Sequence, residues 1–291
     1  MDRDALHARI RRLLFVSPAL ATSFSQGEFR SIFRGRGLDF DSLRDYGAEE
    51  DARLIDWNVT ARLGKPYVRS YREDRSLILF LLVDLSASME VGGGEVSKRD
   101  QALLAASLLA YAGRLRGMPV GCLYFARGPL RYFPPKTGGD HALALVEAGI
   151  ECPASEEGSD IAGALATATR LLKRRSLVIL LSDFLAANYG GELGIASRRH
   201  DLVAFRIGDR IDEEPPAIGS WLLRDAEGGG KLRAPFFSGS FREKWRAHRR
   251  ADLEGFKRLC ASRAVPFLEL DTEDDPALAL LGFFEKRRRG K

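Results

Sequence analysis

Two short, unbroken apolar runs constrain the fold of this chain more than any other feature of its sequence. Leu77–Val83 and Leu177–Leu181 contain only aliphatic and aromatic side chains, with no polar residue alternating between them. Such runs are too short to cross a membrane, and they are typical of central strands that helices cover on both faces. Asp84 follows the first run directly, and Ser182 and Asp183 follow the second. The sequence therefore predicts an α/β fold with buried strands that end in carboxylates.

From residue 77 onward, strand-like and helix-like segments alternate, which predicts a doubly wound, mostly parallel sheet. Strands are predicted near 78–83, 120–125, 177–181, 202–206 and 267–270, with a short antiparallel edge strand at 130–133. Helices are predicted over 98–116, 141–149, 161–173, 191–199, 242–263 and 276–286. Residues 209–233 interrupt this alternation and are predicted to form an inserted β-hairpin, because they combine a Pro-Pro pair with a Gly-Gly-Gly tip.

The N-terminal quarter of the chain differs in composition from the rest. Apolar residues at helical spacing predict an amphipathic helix over 2–15. Residues 17–75 are rich in Gly, Arg, Asp and aromatic side chains, with short β-like pieces at 29–33 and 67–71. We therefore expect three regions: a small helix-plus-β platform (1–76), a main α/β domain (77–285) and a basic tail (286–291) that is solvated.

Oxygen-bearing side chains gather where the predicted strands end. Asp84, Ser86 and Ser88 form a D-x-S-x-S stretch after the first buried strand, and Asp183 ends a later one. Ser159 lies in a Gly-led loop just ahead of a predicted helix, where the neighbouring Asp160 could compete with it as a ligand. Carboxyl ends of parallel strands meet at the ligand-binding edge of open α/β sheets. Carboxylate and hydroxyl oxygens are hard donors of the kind that a divalent cation such as Mg²⁺ prefers, so this edge is a candidate site for such an ion.

The D-x-S-x-S stretch with its two further limbs resembles the metal-ion-dependent adhesion site of von Willebrand factor A domains. The resemblance implies a von Willebrand A-like main domain in which Asp84, Ser86, Ser88, Ser159 and Asp183 hold Mg²⁺ or Mn²⁺. It also implies that an acidic group from a partner protein fills the last coordination position of the ion. Ser159 stands where these domains usually have Thr, so the hydroxyl is kept but the methyl group that restricts its rotamer is lost.

A second resemblance covers residues 35–75. The glycines of 35–40, the Leu-Arg-Asp-Tyr of 43–46, the Ile-Asp-Trp of 55–57 and the Ala-Arg of 61–62 resemble the signature of the bacterial domain-of-unknown-function family 58. Residues 48–51 depart from the Pro-Gly-Asp turn that is more common there. This resemblance implies an adaptor that associates with MoxR-type AAA+ ATPases.

Arginines and carboxylates interleave within the platform. Arg44, Arg53 and Arg62 lie among several Asp and Glu residues, which favours Arg–carboxylate pairs that fix the geometry of this region. The alternative is that these three arginines contact a partner directly. A protein that binds partners through this platform, with only a vestigial metal site, is thus the second functional hypothesis.

Composition narrows the class of protein. A formal net charge of +5 is spread among interleaved acids, and no recognition helix or aromatic-and-basic RNA-binding pattern is present, so we expect no specific nucleic-acid partner. No apolar run is long enough for a transmembrane helix, and the charged N-terminus does not resemble a signal peptide. Three widely spaced cysteines fit reduced thiols, which favours a cytoplasmic protein.

Enzymatic motifs are not found in the sequence. A phosphohydrolase of the haloacid dehalogenase type needs a second acid two residues after its nucleophilic Asp, and Ser86 occupies that position. This weakens the third hypothesis, a metal-dependent phosphohydrolase. Neither a G-x-S-x-G elbow nor a G-x-x-x-x-G-K-[ST] loop occurs. We therefore expect a binding protein rather than an enzyme.

Overall fold

A computed structural model describes residues 2–14, 17–25, 39–45, 57–72, 77–153, 158–215, 217, 221–224 and 231–289. The helices are α1 (Arg3–Leu13), α2 (Ser17–Ser25), α3 (Trp57–Leu63), α4 (Lys98–Leu115), α5 (Gly139–Glu151), α6 (Ile161–Leu171), α7 (Gly190–Arg199), α8 (Arg210–Glu213), α9 (Gly239–Ser262) and α10 (Pro276–Arg289). The strands are β1 (Asp39–Asp45), β2 (Tyr67–Arg72), β3 (Leu79–Asp84), β4 (Val120–Phe125), β5 (Pro129–Lys136), β6 (Leu177–Ser182), β7 (Asp201–Gly208), β8 (Trp221–Arg224), β9 (Lys231–Ala234) and β10 (Phe267–Asp271). The chain divides into two compact units, residues 1–28 with 77–291, and residues 29–76.

The larger unit is built on a six-stranded sheet in the order β10-β7-β6-β3-β4-β5. Every neighbouring pair is parallel except β4 and β5, which are antiparallel. The predicted α/β class, the mostly parallel sheet and the antiparallel edge strand are confirmed. All residues of β3, β4 and β6 are buried, as expected for strands with helices on both faces.

Helices cover the sheet on both sides. On one face, Leu165 of α6, Leu193 of α7 and Phe256 of α9 pack in one apolar cluster with side chains of the central strands. On the other face α4 lies directly against the sheet, and α1, α2 and α10 pack over it. Because it is enclosed between two layers, α4 is apolar around most of its circumference. Gly113 allows this close approach, since a Cβ there would lie 2.9 Å from the Leu79 side chain.

The two central strands diverge in their connections. After β3 the chain passes through α4 to β4 on one side, whereas after β6 it passes through α7 to β7 on the other side. In open α/β sheets such a reversal leaves a crevice outside the carboxyl ends of the two strands. Asp84 ends β3 and Asp183 directly follows β6, so the topology directs both carboxylates to this crevice.

The N-terminal helices belong to the larger unit, although the sequence places all of residues 1–76 in the platform. Leu6 and Ile10 of α1 and Leu20 and Ala21 of α2 are buried, and both helices pack against α4. Asp2 caps α1 by accepting a hydrogen bond from the Ala5 N–H at 2.7 Å. The helix α2 was not predicted, although its Ser-Pro start is a common way to begin a helix.

The smaller unit contains the antiparallel pair β1 and β2 and the helix α3. The strand expected at 67–71 is present as β2, whereas the one expected at 29–33 lies outside the described residues. The helix α3 was not predicted; it begins at Trp57, whose side chain is 67% exposed. The Thr60 hydroxyl accepts a hydrogen bond from the Tyr67 N–H at 3.1 Å, which links α3 to β2.

The C-terminal part of the chain largely follows the predictions. The inserted hairpin is present as the antiparallel pair β8 and β9, preceded by the short helix α8. The tail differs from the expected solvated terminus, because α10 runs on to Arg289. The guanidinium of Arg287 lies 2.8 Å from Asp201 Oδ1. The three cysteines are buried free thiols, as predicted. Within the described residues no helix has the length and apolar character needed to span a membrane.

Candidate metal site

Asp84 is the centre of a compact group of oxygen atoms at the carboxyl edge of the sheet. Its side chain is fully buried, and Oδ2 accepts hydrogen bonds from the hydroxyls of Ser159 and Ser182, each at 2.6 Å. Oδ1 accepts the N–H of Ser86 at 2.9 Å, which closes a tight turn directly after β3. The hydroxyls of Ser86 and Ser88 lie 3.3 Å apart. Three separate chain segments therefore converge on one carboxylate.

Asp183 lies beside this group but has a different partner. Its Oδ2 is 3.0 Å from Nζ of Lys98, a residue in the first turn of α4 whose side chain is only 1% exposed. The same ammonium lies 2.9 Å from Asp212 Oδ2. Oδ1 of Asp183 accepts the N–H of Leu185 at 3.3 Å. The site thus contains a buried positive charge between two carboxylates.

The surroundings shift the pKa values of the two strand-end carboxyl groups in opposite directions. Burial, followed by the nearby charge of Asp183, raises the pKa of Asp84 despite its hydrogen bonds from the serines. Burial also acts to raise the pKa of Asp183, but the Lys98 ammonium and the hydrogen bonds from Lys98 and Ser88 outweigh it, so that pKa is lowered. The pKa of Lys98 is raised, because its two carboxylate partners outweigh the effect of its burial. Asp183 and Lys98 are therefore both charged.

Local backbone geometry orients these side chains. The Asp160 N–H donates to the Ala126 carbonyl at 2.8 Å, which fixes the loop that carries Ser159. Asp160 itself caps α6, accepting the Gly163 N–H at 2.8 Å. Of the two candidate ligands in this loop, Ser159 contacts Asp84 and Asp160 serves the helix. Phe184, directly after Asp183, has φ of 57°, a left-handed conformation that is uncommon for a bulky residue and is often found at functional sites.

The arrangement of donors fits a small, hard cation. Adjacent ligands of an octahedral Mg²⁺ are about 2.9 Å apart, given metal–oxygen distances of about 2.0–2.1 Å. The separations of 2.6 Å between Ser159 and Asp84 and of 3.3 Å between Ser86 and Ser88 bracket that value. A serine hydroxyl that donates its hydrogen to a carboxylate keeps lone pairs for a cation. Within the described residues no cluster of three or more His, Cys, Asp or Glu side chains is placed to hold a metal, but the predicted site relies on hydroxyls.

Sequence reasoning missed three residues that contribute to this site. Ser182 precedes Asp183 and donates to Asp84, and this Ser-Asp pair at a strand end was the available signal. Lys98 and Asp212 carry no local signal, because only the tertiary fold brings α4 and α8 to the carboxyl end of β6.

The predicted partner-binding arginines belong to the smaller unit. Arg44 lies in β1 and Arg62 in α3, while Arg53 is outside the described residues. Their role in binding stays a prediction.

Comparison with known proteins identifies the family. The model of the family described as "Protein of unknown function DUF58" matches residues 42–254 of this chain. The chain belongs to the DUF58 family. The uncharacterized protein Rv1480 of Mycobacterium tuberculosis (strain ATCC 25618 / H37Rv) is 30% identical over 296 residues, which cover 100% of this chain and 92% of that protein. A shorter relative, the uncharacterized protein MAV169 of Mycobacterium avium, is 31% identical over 168 residues, or 54% of this chain and 94% of that protein.

Solved structures with a similar arrangement include the conserved hypothetical protein BatB from Bacteroides thetaiotaomicron. It matches this DUF58 chain with a TM-score of 0.47 and 16% identity, over 73% of this chain and 99% of that one. The SpRpn10 VWA domain matches with a TM-score of 0.40 and 9% identity, over 71% of this chain and 94% of that one. The assignment to the DUF58 family depends on the sequence matches.

Proposed function

We propose that this DUF58 protein is a metal-dependent protein-binding adaptor, rather than an enzyme, and that Asp84, Ser86, Ser88, Ser159 and Asp183 hold Mg²⁺ or Mn²⁺. The observation that carries the proposal is the convergence of Ser86 and Ser159 on the buried carboxylate of Asp84. This convergence lies at the carboxyl ends of the two strands where the sheet reverses its order.

The residues of such a site would have different roles, some as ligands of the ion and others as groups that orient those ligands. The hydroxyls of Ser86, Ser88 and Ser159 would bind the cation as neutral ligands, and Asp84 would orient the Ser159 hydroxyl through its existing hydrogen bond. Asp183, held by Lys98, would act directly or through water. Since few of these ligands are charged, the bound ion would supply a Lewis-acidic position that attracts a carboxylate from another protein.

The partner we propose is a MoxR-type AAA+ ATPase in the cytoplasm, with an acidic residue at its contact surface. The support is the family: the chain belongs to the DUF58 family, and the resemblance described above implies association with these ATPases. An adaptor of this kind would link the ATPase to the assembly or remodelling of a protein complex. The alternative, contact through Arg44, Arg53 and Arg62 with a vestigial metal site, makes a different prediction in the experiments below.

Calorimetric titration with Mn²⁺ and Mg²⁺ tests the metal site. We expect weak binding by the wild-type protein and none by Asp84→Ala, because that change removes the carboxylate that orients the hydroxyls. Asp160→Asn is the matched control, since Asp160 neighbours Ser159 but only caps α6. Identical titrations of wild type and Asp84→Ala would mean that the site is vestigial.

Complex formation with a MoxR-type ATPase tests the partner. We expect EDTA and Asp183→Ala each to weaken the complex at least about tenfold, the low end of the cost of losing a residue that orients metal ligands. Circular dichroism should show that Asp183→Ala remains folded. A complex that survives both treatments at full strength but is lost when Arg44, Arg53 and Arg62 are changed to Ala would favour contact through the smaller unit.

A further inference from the structure

Lys98 is the most unusual residue near the proposed metal site. Its ammonium is buried and lies within 3.0 Å of Asp183 Oδ2 and 2.9 Å of Asp212 Oδ2. Burying a lysine is costly unless its charge is paired, so a lysine in this position needs a reason. A solvent-exposed side chain would have sufficed if the first turn of α4 needed only a helix-forming residue.

The position of this ammonium determines the charge of the site. Asp84 and Asp183 are neighbouring buried carboxylates that repel each other. The charge of Lys98 offsets that of Asp183 in the same small volume that a divalent ion would enter. The ammonium therefore both satisfies the carboxylate in the metal-free protein and opposes the approach of a second cation.

Asp212 gives Lys98 a second partner that does not depend on the metal site. The Asp212 N–H donates to the Asp209 carbonyl at 2.9 Å, and its own carbonyl accepts the indole N–H of Trp245 at 2.7 Å. Asp212 is thus fixed in place by its backbone. If Asp183 turned to a metal ion, Lys98 would still be paired with Asp212 and would not become an isolated buried charge.

We propose that Lys98 is an internal counter-ion of the metal site, which competes with the divalent ion for Asp183 and keeps only Asp212 as its partner when the ion binds. This inference rests on the proposed function. It makes Lys98 a positioning residue that sets the affinity of the site. Metal binding is weak because an ammonium must be displaced from Asp183, and the ion that binds keeps more of its positive charge for a partner carboxylate.

Lys98→Met tests the competition, because Met has a similar length and no charge. Removing a unit charge about 6 Å from a divalent ion changes its affinity about tenfold even with the dielectric constant of water. We expect Lys98→Met to bind Mn²⁺ at least about tenfold more tightly than wild type. Mn²⁺ should also raise the melting temperature of this variant more than that of wild type, since the ion replaces the missing positive charge.

Asp212→Asn provides a second test with the opposite sign. Without its alternative partner Lys98 should remain on Asp183, so we expect Mn²⁺ binding at least about threefold weaker than in wild type. Asp274→Asn is the matched control, because Asp274 lies at the same sheet edge as Asp212 and its carboxylate accepts the Asp271 N–H rather than facing Lys98. It should change Mn²⁺ affinity less than Asp212→Asn does. If Lys98→Met does not fold, this second comparison decides.

The possible results separate this inference from the proposed function. Tighter binding by Lys98→Met with weaker binding by Asp212→Asn supports the inference. Wild-type binding that neither change alters, or that a folded Lys98→Met weakens, overturns the inference and leaves the metal site standing. Binding by Lys98→Met alone supports the counter-ion role and overturns metal binding by the native protein. Absence of binding by every variant overturns both.

Discussion

The two edges of the main sheet treat buried polar side chains differently. At the carboxyl edge, Asp84 accepts three hydrogen bonds and Asp183 faces the ammonium of Lys98. At the amino edge, where β7 begins, neither ring nitrogen of His200 has a hydrogen-bond partner among the described residues, and nor does Oδ2 of Asp201. Oδ1 of Asp201 is paired with Arg287, so the contrast with the carboxyl edge lies in His200, whose ring has no such partner.

The paired carboxylates at the carboxyl edge are stabilised by their neighbours, whereas the unpaired His200 at the amino edge lowers the stability of the fold. A buried polar group without a partner has lost its bonds to water and gains nothing in return. Removing such a group should therefore help the fold, whereas removing a paired group should harm it. Substitutions that change one edge at a time should therefore shift stability in opposite directions.

The largest expected effect is acid destabilisation through His200. Burial, then the charges of Arg199 and Arg175, lower the pKa of His200 to about 4, compared with 6.5 for an exposed histidine. The unfolded chain therefore binds more protons than the folded one between these values. Stability is fully present above about pH 6.5 and is lost as the pH falls towards 4, by about 3 kcal/mol in total. Chemical denaturation at several pH values measures this loss.

His200→Leu should remove this acid-dependent loss and be neutral or stabilising at pH 7, because no hydrogen bond is given up. His248→Leu is the control, since it makes the same change at a side chain that is 71% exposed, and it should not remove the acid-dependent loss that is attributed to His200. If His200→Leu lowers the free energy of unfolding at pH 7 by about 1–3 kcal/mol, as the removal of a hydrogen-bonded buried side chain would, the contrast between the two edges does not hold.

At the carboxyl edge, Ser182→Ala should lower the free energy of unfolding, whereas His200→Leu should leave it unchanged or raise it. The size of the loss should be smaller than the acid-dependent loss at His200. Ser182 donates to Asp84 at 2.6 Å and accepts the Phe184 N–H at 3.1 Å. Hydrogen bonds to charged groups contribute about 1.5–3 kcal/mol, so we expect a loss of about 2 kcal/mol in the free energy of unfolding. Urea denaturation measures it.

Ser107→Ala is the control for Ser182→Ala, because the buried Ser107 hydroxyl donates to the Leu103 carbonyl of its own helix at 2.6 Å rather than to a carboxylate. It should cost less than Ser182→Ala. Equal losses in the two variants would indicate that the oxygen cluster around Asp84 has no special stability.

Much of the carboxyl edge could be predicted from the sequence, because its information is local. An apolar run that ends in Asp specifies a buried strand and places the carboxylate at its end, which gave Asp84 and Asp183 without knowledge of the fold. The hydroxyls of Ser86 and Ser159 follow from the turn after β3 and the loop before α6. Their convergence on Asp84 then needed only the rule that parallel strands end together.

The remaining features depend on contacts between distant segments. The pairing of Lys98 with Asp212 joins residues more than a hundred positions apart, and no periodic pattern in the sequence predicts it. The helices α2 and α3 were missed because both are short. The grouping of α1 and α2 with the main sheet follows from what their apolar faces contact. The spacing of apolar residues shows which face of a helix is buried, but it does not show which other element that face packs against.

The smallest expected effect concerns Ser159, where the resemblance to von Willebrand factor A domains leads one to expect Thr. Ser159→Thr keeps the hydroxyl that donates to Asp84 and adds a methyl group that restricts its rotamer. Fixing one of three staggered wells is worth about threefold in affinity, so Mn²⁺ should bind up to about threefold more tightly. Stability should change by less than about 0.5 kcal/mol, because the residue is half-buried and its hydrogen bond is preserved.

Ser159→Ala, which lacks the hydroxyl, should lose metal binding in the same titration. If Thr and Ala weaken binding equally, the hydroxyl of residue 159 is not a ligand, and the metal ligands would be limited to the segment after β3 and the end of β6.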